Sequence, residues 1–219
     1  MSSYKLYITH KNYSSWSLRA WLLMRAFDIP FTEKMVPLDE HVKIPALAGI
    51  SPTGKVPCLV DGEVTIWESL AIAEYLAERH PTKMLWPLSE PMRSHARAIS
   101  AEMHAGFGAL RTACPMNMRR PVSVLTVADD VKADIARVIE IWRDCLARYE
   151  GPFLFGHFTI ADAMYAPVYS RIKTYGLARG ATHKAVTARY GQALVSMPAW
   201  QEWHDAALAE TAIVAVNEV

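Results

Sequence analysis

The chain has 219 residues, a hydrophobic fraction of 52%, a charged fraction of 21% and a formal net charge of +1. That length suits one large domain or two small ones, and the interspersed charges argue against a nucleic-acid surface, which needs a clustered basic excess. No apolar run reaches the ~18 residues that span a membrane, and the N-terminus shows no signal-type apolar segment, so a cytoplasmic protein is expected.

In chain order, residues 4–9 alternate polar and apolar, as a strand does. Ser14 and Ser15 precede a helix over about 16–27, apolar on most faces, that ends at Asp28-Ile29-Pro30. A second strand is read at 31–36, and the stretch 37–54 as irregular with a short helix. Strands at 56–60 and 64–66 flank Asp61-Gly62, a hairpin signal in which both turn residues would take positive φ. A helix over 68–80 completes a β-α-β-α-β-β-α order.

Pro81, Pro87 and Pro91 then punctuate a linker. Beyond it the pattern is helical only. One helix is expected over 94–112, then a loop with Pro115 and Pro121. A long helix should start at Thr126, with Asp129 completing a variant capping box, and stop at Gly151-Pro152. Another opens at Thr159 with Pro167 kinking it, and a last one begins near Pro198. Mixed elements followed by helices imply an α/β unit packed on an all-α unit.

Three places are suited to chemistry. The free N–H groups and partial positive charge of a helix start stabilise a thiolate, and a Ser14 or Ser15 hydroxyl adds a hydrogen bond; spacing alone favours the plainer reading, in which one serine simply caps the helix. Pro57, in Lys55-Val56-Pro57-Cys58, is either an ordinary strand-edge proline or a cis proline that turns the Val56 backbone outward to pair with an extended peptide. Glu68 and Ser69 open a helix and suit the ammonium and carboxylate of an amino acid, or simply start that helix. The three separated cysteines, Cys58, Cys114 and Cys145, form no framework or CxxC pair and read as buried small apolar residues. Arg119-Arg120 reads as a solvated turn. No metal site is suggested, since no helix carries a paired histidine spacing.

Taken together, Tyr13-Ser14-Ser15-Trp16-Ser17-Leu18-Arg19, Lys55-Val56-Pro57-Cys58-Leu59, Trp67 to Leu76 and Gly156-His157-Phe158-Thr159-Ile160-Ala161-Asp162 resemble the glutathione transferase family over essentially the whole chain. The resemblance implies a thioredoxin-like α/β N-terminal domain (1–80), a linker (81–90) and an all-α C-terminal domain (91–219). It implies glutathione as co-substrate, with Lys55, Val56, Pro57, Glu68 and Ser69 holding it. It also implies a homodimer and a hydrophobic electrophile as second substrate, with no nucleic-acid or membrane partner. Thr159 and Asp162 look like the family's capping box, a folding element.

Within the family the serine pair is similar to the zeta class, which puts thiol activation on Ser14, with Ser15 as the fallback. Two departures bear on a maleylacetoacetate-type isomerase alternative. Trp16 stands where that class has cysteine, and a gapless count puts Thr174 where an arginine would hold a substrate carboxylate, with Arg171 and Lys173 nearby. A non-catalytic ligand-binding member is the other alternative. Met103, His104, Phe107 and Arg111 share a helical spacing and are candidates for the second-substrate site or for core.

Overall fold

A computed structural model describes residues 4–37 and 45–219. The strands β1 (Tyr4–Ile8), β2 (Phe31–Met35), β3 (Cys58–Asp61) and β4 (Val64–Trp67) form one sheet in the order β2-β1-β3-β4. β2 runs parallel to β1, and β3 and β4 add antiparallel. The alternation in β1 has its physical outcome in Tyr4, Leu6 and Ile8, all buried. Part of the irregular stretch expected at 37–54 lies outside the described residues; its described part holds a short 3-10 turn, Pro45–Leu47.

Helix α1 (Ser15–Ala26) connects β1 to β2, and α2 (Ser69–Arg79) follows β4. Apolar residues right around α1 predicted burial on most faces, and only Trp16 and its last residues, Arg25 and Ala26, are not buried. The reason is that α1 is covered both by the sheet and by two helices of the second half. Trp21 meets Trp203 edge-on at 5.2 Å across that boundary.

The second half contains α3 (Glu90–Ala105), α4 (Gly108–Ala113), α5 (Asp129–Arg148), α6 (Ile160–Thr174), α7 (Gly180–Val195) and α8 (Pro198–Ala209). α6 is its central helix, with Ile160 to Ile172 buried throughout. One continuous apolar core runs from the sheet through α1 and α6 to α5, α7 and α8. Fold and family expectation agree here: a thioredoxin-like sheet layer followed by helices.

Several sequence expectations are corrected. The helix read over 94–112 is two helices, because Phe107 takes φ 56° and interrupts the backbone ladder between α3 and α4. α5 starts at Asp129 rather than Thr126, with no side-chain cap. The hairpin loop is shifted by one residue: Asp61 pairs with Val64, and of the two loop residues only Gly62 has positive φ, at 60°. That suits a turn with glycine at its first central position. α7 had no counterpart in the sequence reading. Its glycine looks like a breaker but is a contact: a Cβ on Gly191 would lie 2.1 Å from the Tyr169 ring.

Candidate active site

The start of α1 is pinned before it is reached. Glu210, just after α8, accepts the Lys11 and Asn12 amides at 2.7 and 3.0 Å. Asn12 in turn receives the Arg119 amide at 2.8 Å, and the Arg119 guanidinium reaches the Tyr13 hydroxyl at 2.8 Å and the Ala212 carbonyl at 2.5 Å. Arg119 therefore ties the β1–α1 loop to the C-terminal segment, which corrects its reading as a solvated turn.

Ser14 is the N-cap of α1: its Oγ accepts the Ser17 amide at 3.3 Å and donates to Ser17 Oγ at 2.7 Å. It stays half-buried. Ser15 differs. Its side chain is buried and its Oγ accepts from Arg171 Nη2 at 3.2 Å. A guanidinium can only donate, so the Ser15 hydroxyl proton is left free of that bond.

A cavity of about 170 Å³ opens beside this helix start, walled by Trp16, Thr53, Lys55, Val56, Pro57, Glu68 and Ser69. The five residues expected to hold glutathione thus come together, although they span two separate chain segments. The Val56-Pro57 peptide bond is cis. Glu68 precedes α2 with φ 68°, a backbone region that disfavours any side chain, and such positions collect at functional sites. Ser69, the first residue of α2, is buried. Neither Ser14 nor Ser15 belongs to the cavity wall; both immediately precede Trp16, which does.

The second-substrate candidates divide. Met103 and Phe107 are buried members of the apolar core. His104 and Arg111 surround Trp16 instead. His104 meets its ring edge-on at 5.3 Å, and the Arg111 guanidinium lies 5.4 Å from the ring centre. His104 Nε2 is also 3.4 Å from Glu68 Oε2. Burial lowers the His104 pKa, Glu68 opposes, and Arg19 and Arg111 lower it further, so the imidazole is held neutral near pH 7.

Three participants lacked an assigned role in the sequence reading. Trp16 and Thr53 line the cavity. Arg19 lies wholly buried with its guanidinium 4.3 Å from the Trp16 ring centre. Arg171, three residues before Thr174 in the sequence, is the one that reaches Ser15, while the Thr174 carbonyl accepts the Ser123 amide at 3.0 Å. One helical turn separates the two, and which of them faces α1 depends on the packing of α6. The three cysteines are buried. Burial pushes all three thiols up, Cys145 to about 12, which suits packing rather than redox chemistry.

A four-stranded mixed sheet, a hydroxyl-bearing helix start, a cis-proline and a cavity lined by Lys55, Val56, Pro57, Glu68 and Ser69 thus lie together in one half of the molecule. The descriptions "Glutathione S-transferase, N-terminal domain" and "Glutathione S-transferase, C-terminal domain" match residues 13–79 and 126–206. A probable maleylacetoacetate isomerase of Caenorhabditis elegans is 32% identical over 168 residues, covering 75% of this chain and 77% of its own. Human glutathione S-transferase theta-1 is 29% identical over 156 residues, 65% of this chain and 62% of its own. A Burkholderia glutathione transferase homologue with bound glutathione superposes with a TM-score of 0.72 at 22% identity, over 94% of this chain and 98% of its own. The chain belongs to the glutathione S-transferase family.

Proposed function

We propose that this protein is a glutathione transferase in which Ser14 stabilises the glutathione thiolate for attack on a hydrophobic electrophile. The observation that carries this reading is the cavity where Lys55, Val56, Pro57, Glu68 and Ser69 meet beside the start of α1. Glu68 takes the γ-glutamyl ammonium, and Ser69 with the α2 start takes its carboxylate. Val56 pairs with the cysteinyl backbone, and Lys55 takes the glycine carboxylate. The sulfur then lies at the α1 N-terminus, where the hydroxyl proton of Ser14 turns from Ser17 Oγ toward it. The Ser17 amide holds the oxygen in place meanwhile. Ser15 is the fallback for this role.

The same reading takes residues 1–80 as the glutathione domain, 81–90 as linker and 91–219 as the substrate domain. It places the protein in the cytoplasm, in detoxification, as a homodimer. Support for pairing comes from the edge strand β4, whose Val64 and Trp67 are 48% and 39% exposed. His104 and Arg111, which pack on Trp16, border the second substrate more closely than the core residues Met103 and Phe107.

Glutathione-dependent isomerisation is the second reading. It is favoured by the similarity to isomerase relatives and by Arg171, a cation at Ser15. Glutathione binding by calorimetry, with turnover of a chloronitrobenzene and of a cis-enone diacid, tests both. Turnover of the first that depends on Ser14 supports the transferase. Turnover of the diacid alone supports the isomerase. No binding of glutathione refutes both.

A further inference from the structure

Three arginines converge beside the start of α1, and the serine mechanism uses none of them. Arg19 comes from α1, Arg111 from α4 and Arg171 from α6. Arg19 donates through Nη1 to the Ser15 carbonyl and through Nε to the Met164 carbonyl, both at 3.0 Å. Arg171 donates to the Cys114 carbonyl at 2.8 Å, the Pro167 carbonyl at 3.3 Å and Ser15 Oγ at 3.2 Å. Every one of these acceptors is neutral. Among the described residues no carboxylate pairs with any of the three, and Arg19 Nη2 and Arg111 Nε are buried without an acceptor.

The charges are mutually unfavourable. Burial, then Arg171, then Arg111 hold Arg19 well below its usual range, and burial followed by Arg111 brings Arg171 down to about 10. A guanidinium keeps its proton inside proteins, so the cluster carries its positive charge at neutral pH. Two guanidiniums taken out of water beside a third are costly unless a formal anion compensates them. Surrounding groups supply little negative charge. On α3, His104 is held neutral, and Glu102 is engaged by Arg137 at 2.7 Å. On α6, Tyr165 is buried and held neutral. Before α2, Glu68 is half exposed and directed to His104. Lys55 adds a further cation on the cavity wall.

We propose that Arg19, Arg111 and Arg171 form the counter-charge for the glutathione sulfur and keep it ionised at neutral pH, with Arg171 acting as a positioning residue through Ser15. This rests on the glutathione reading above. A cation near the sulfur favours the thiolate, in the same sense as the free N–H groups of the helix start. The proton leaves the S–H for solvent, and no other bond changes. The arrangement also accounts for charges that a purely hydrophobic second-substrate pocket would not need.

The test is the ultraviolet thiolate absorbance of bound glutathione against pH, with affinity measured alongside by calorimetry. Arg171→Gln and Arg111→Gln should each raise the thiol midpoint by about one unit while glutathione still binds. Arg171→Lys should restore most of the shift. Arg111 is only half-buried, so its variant keeps the test valid if the Arg171 variant unfolds. Unchanged midpoints in variants that bind glutathione overturn the proposal. So does a rise in KM confined to carboxylate-bearing electrophiles, which would assign the cluster to the substrate. Failure of the wild type to bind glutathione removes the underlying reading instead, and this proposal with it.

Discussion

The starts of α1 and α6 use the same device for opposite ends. At α6 the capping box is closed. Asp162 accepts the Thr159 amide at 2.8 Å, the Thr159 hydroxyl at 3.0 Å and the Leu154 amide at 3.0 Å, all within a buried site. At α1 the cap, Ser14, has no acidic partner three residues on, and it sits half-buried next to a cavity. A fully satisfied helix start is a folding element with nothing left to bind a ligand. One that keeps amide donors free has the means to receive an incoming anion.

The sharpest way to break this comparison is to open the closed end. Asp162→Ala leaves three donors buried without an acceptor, so it should cost about 3–4 kcal/mol of stability, more than a single cap. Chemical denaturation measures it, and glutathione affinity of the remaining folded protein should be unchanged. Ser14→Ala acts at the open end. It should lower turnover about 100-fold, on the scale of losing one preorganised anion donor, while costing about 1 kcal/mol of stability as a lost cap. A stability loss with turnover intact would reduce Ser14 to a cap.

A pH experiment sharpens the closed end further. Burial raises the Asp162 pKa to about 6, against hydrogen bonds from Leu154 and Thr159 that lower it. Its folded pKa therefore exceeds its unfolded value of about 3.9. The folded state binds the proton more tightly, so this contribution to stability is fully present below about pH 4 and is lost as pH rises through about 6. The deficit of Asp162→Asn relative to wild type should accordingly shrink between pH 4 and pH 7 in paired denaturation curves. The smallest expected effect is at Glu68→Gly. Relief of the positive φ should stabilise the fold by up to about 1 kcal/mol, while removal of the carboxylate weakens glutathione binding. A variant that gains stability and keeps full affinity would take Glu68 out of the site.

Much of the architecture was legible because the signals were local. Alternation in residues 4–9 marked β1, the Asp61-Gly62 region marked the hairpin, and Thr159 with Asp162 marked the α6 start. The misses were equally physical. Phe107 and its flanking glycines leave the apolar spacing of 94–112 intact, so a break set by one backbone angle did not show. Gly191 and the weakly patterned residues around it hid α7, where the Tyr169 ring packs so close to Gly191 that no side chain fits there.

The amino-acid sequence by itself determined the two kinds of layer and the serine-bearing helix start, because each is encoded in a few neighbouring residues. Only the tertiary structure decided that Ser14 caps α1 while Ser15 meets Arg171. It alone brought Arg19, Arg111 and Arg171 together from three helices, and it alone separated Met103 and Phe107 from His104 and Arg111. Those outcomes depend on how α6 and α4 are rotated against α1. That rotation is set by packing between segments more than 80 residues apart in the chain, which no local pattern carries.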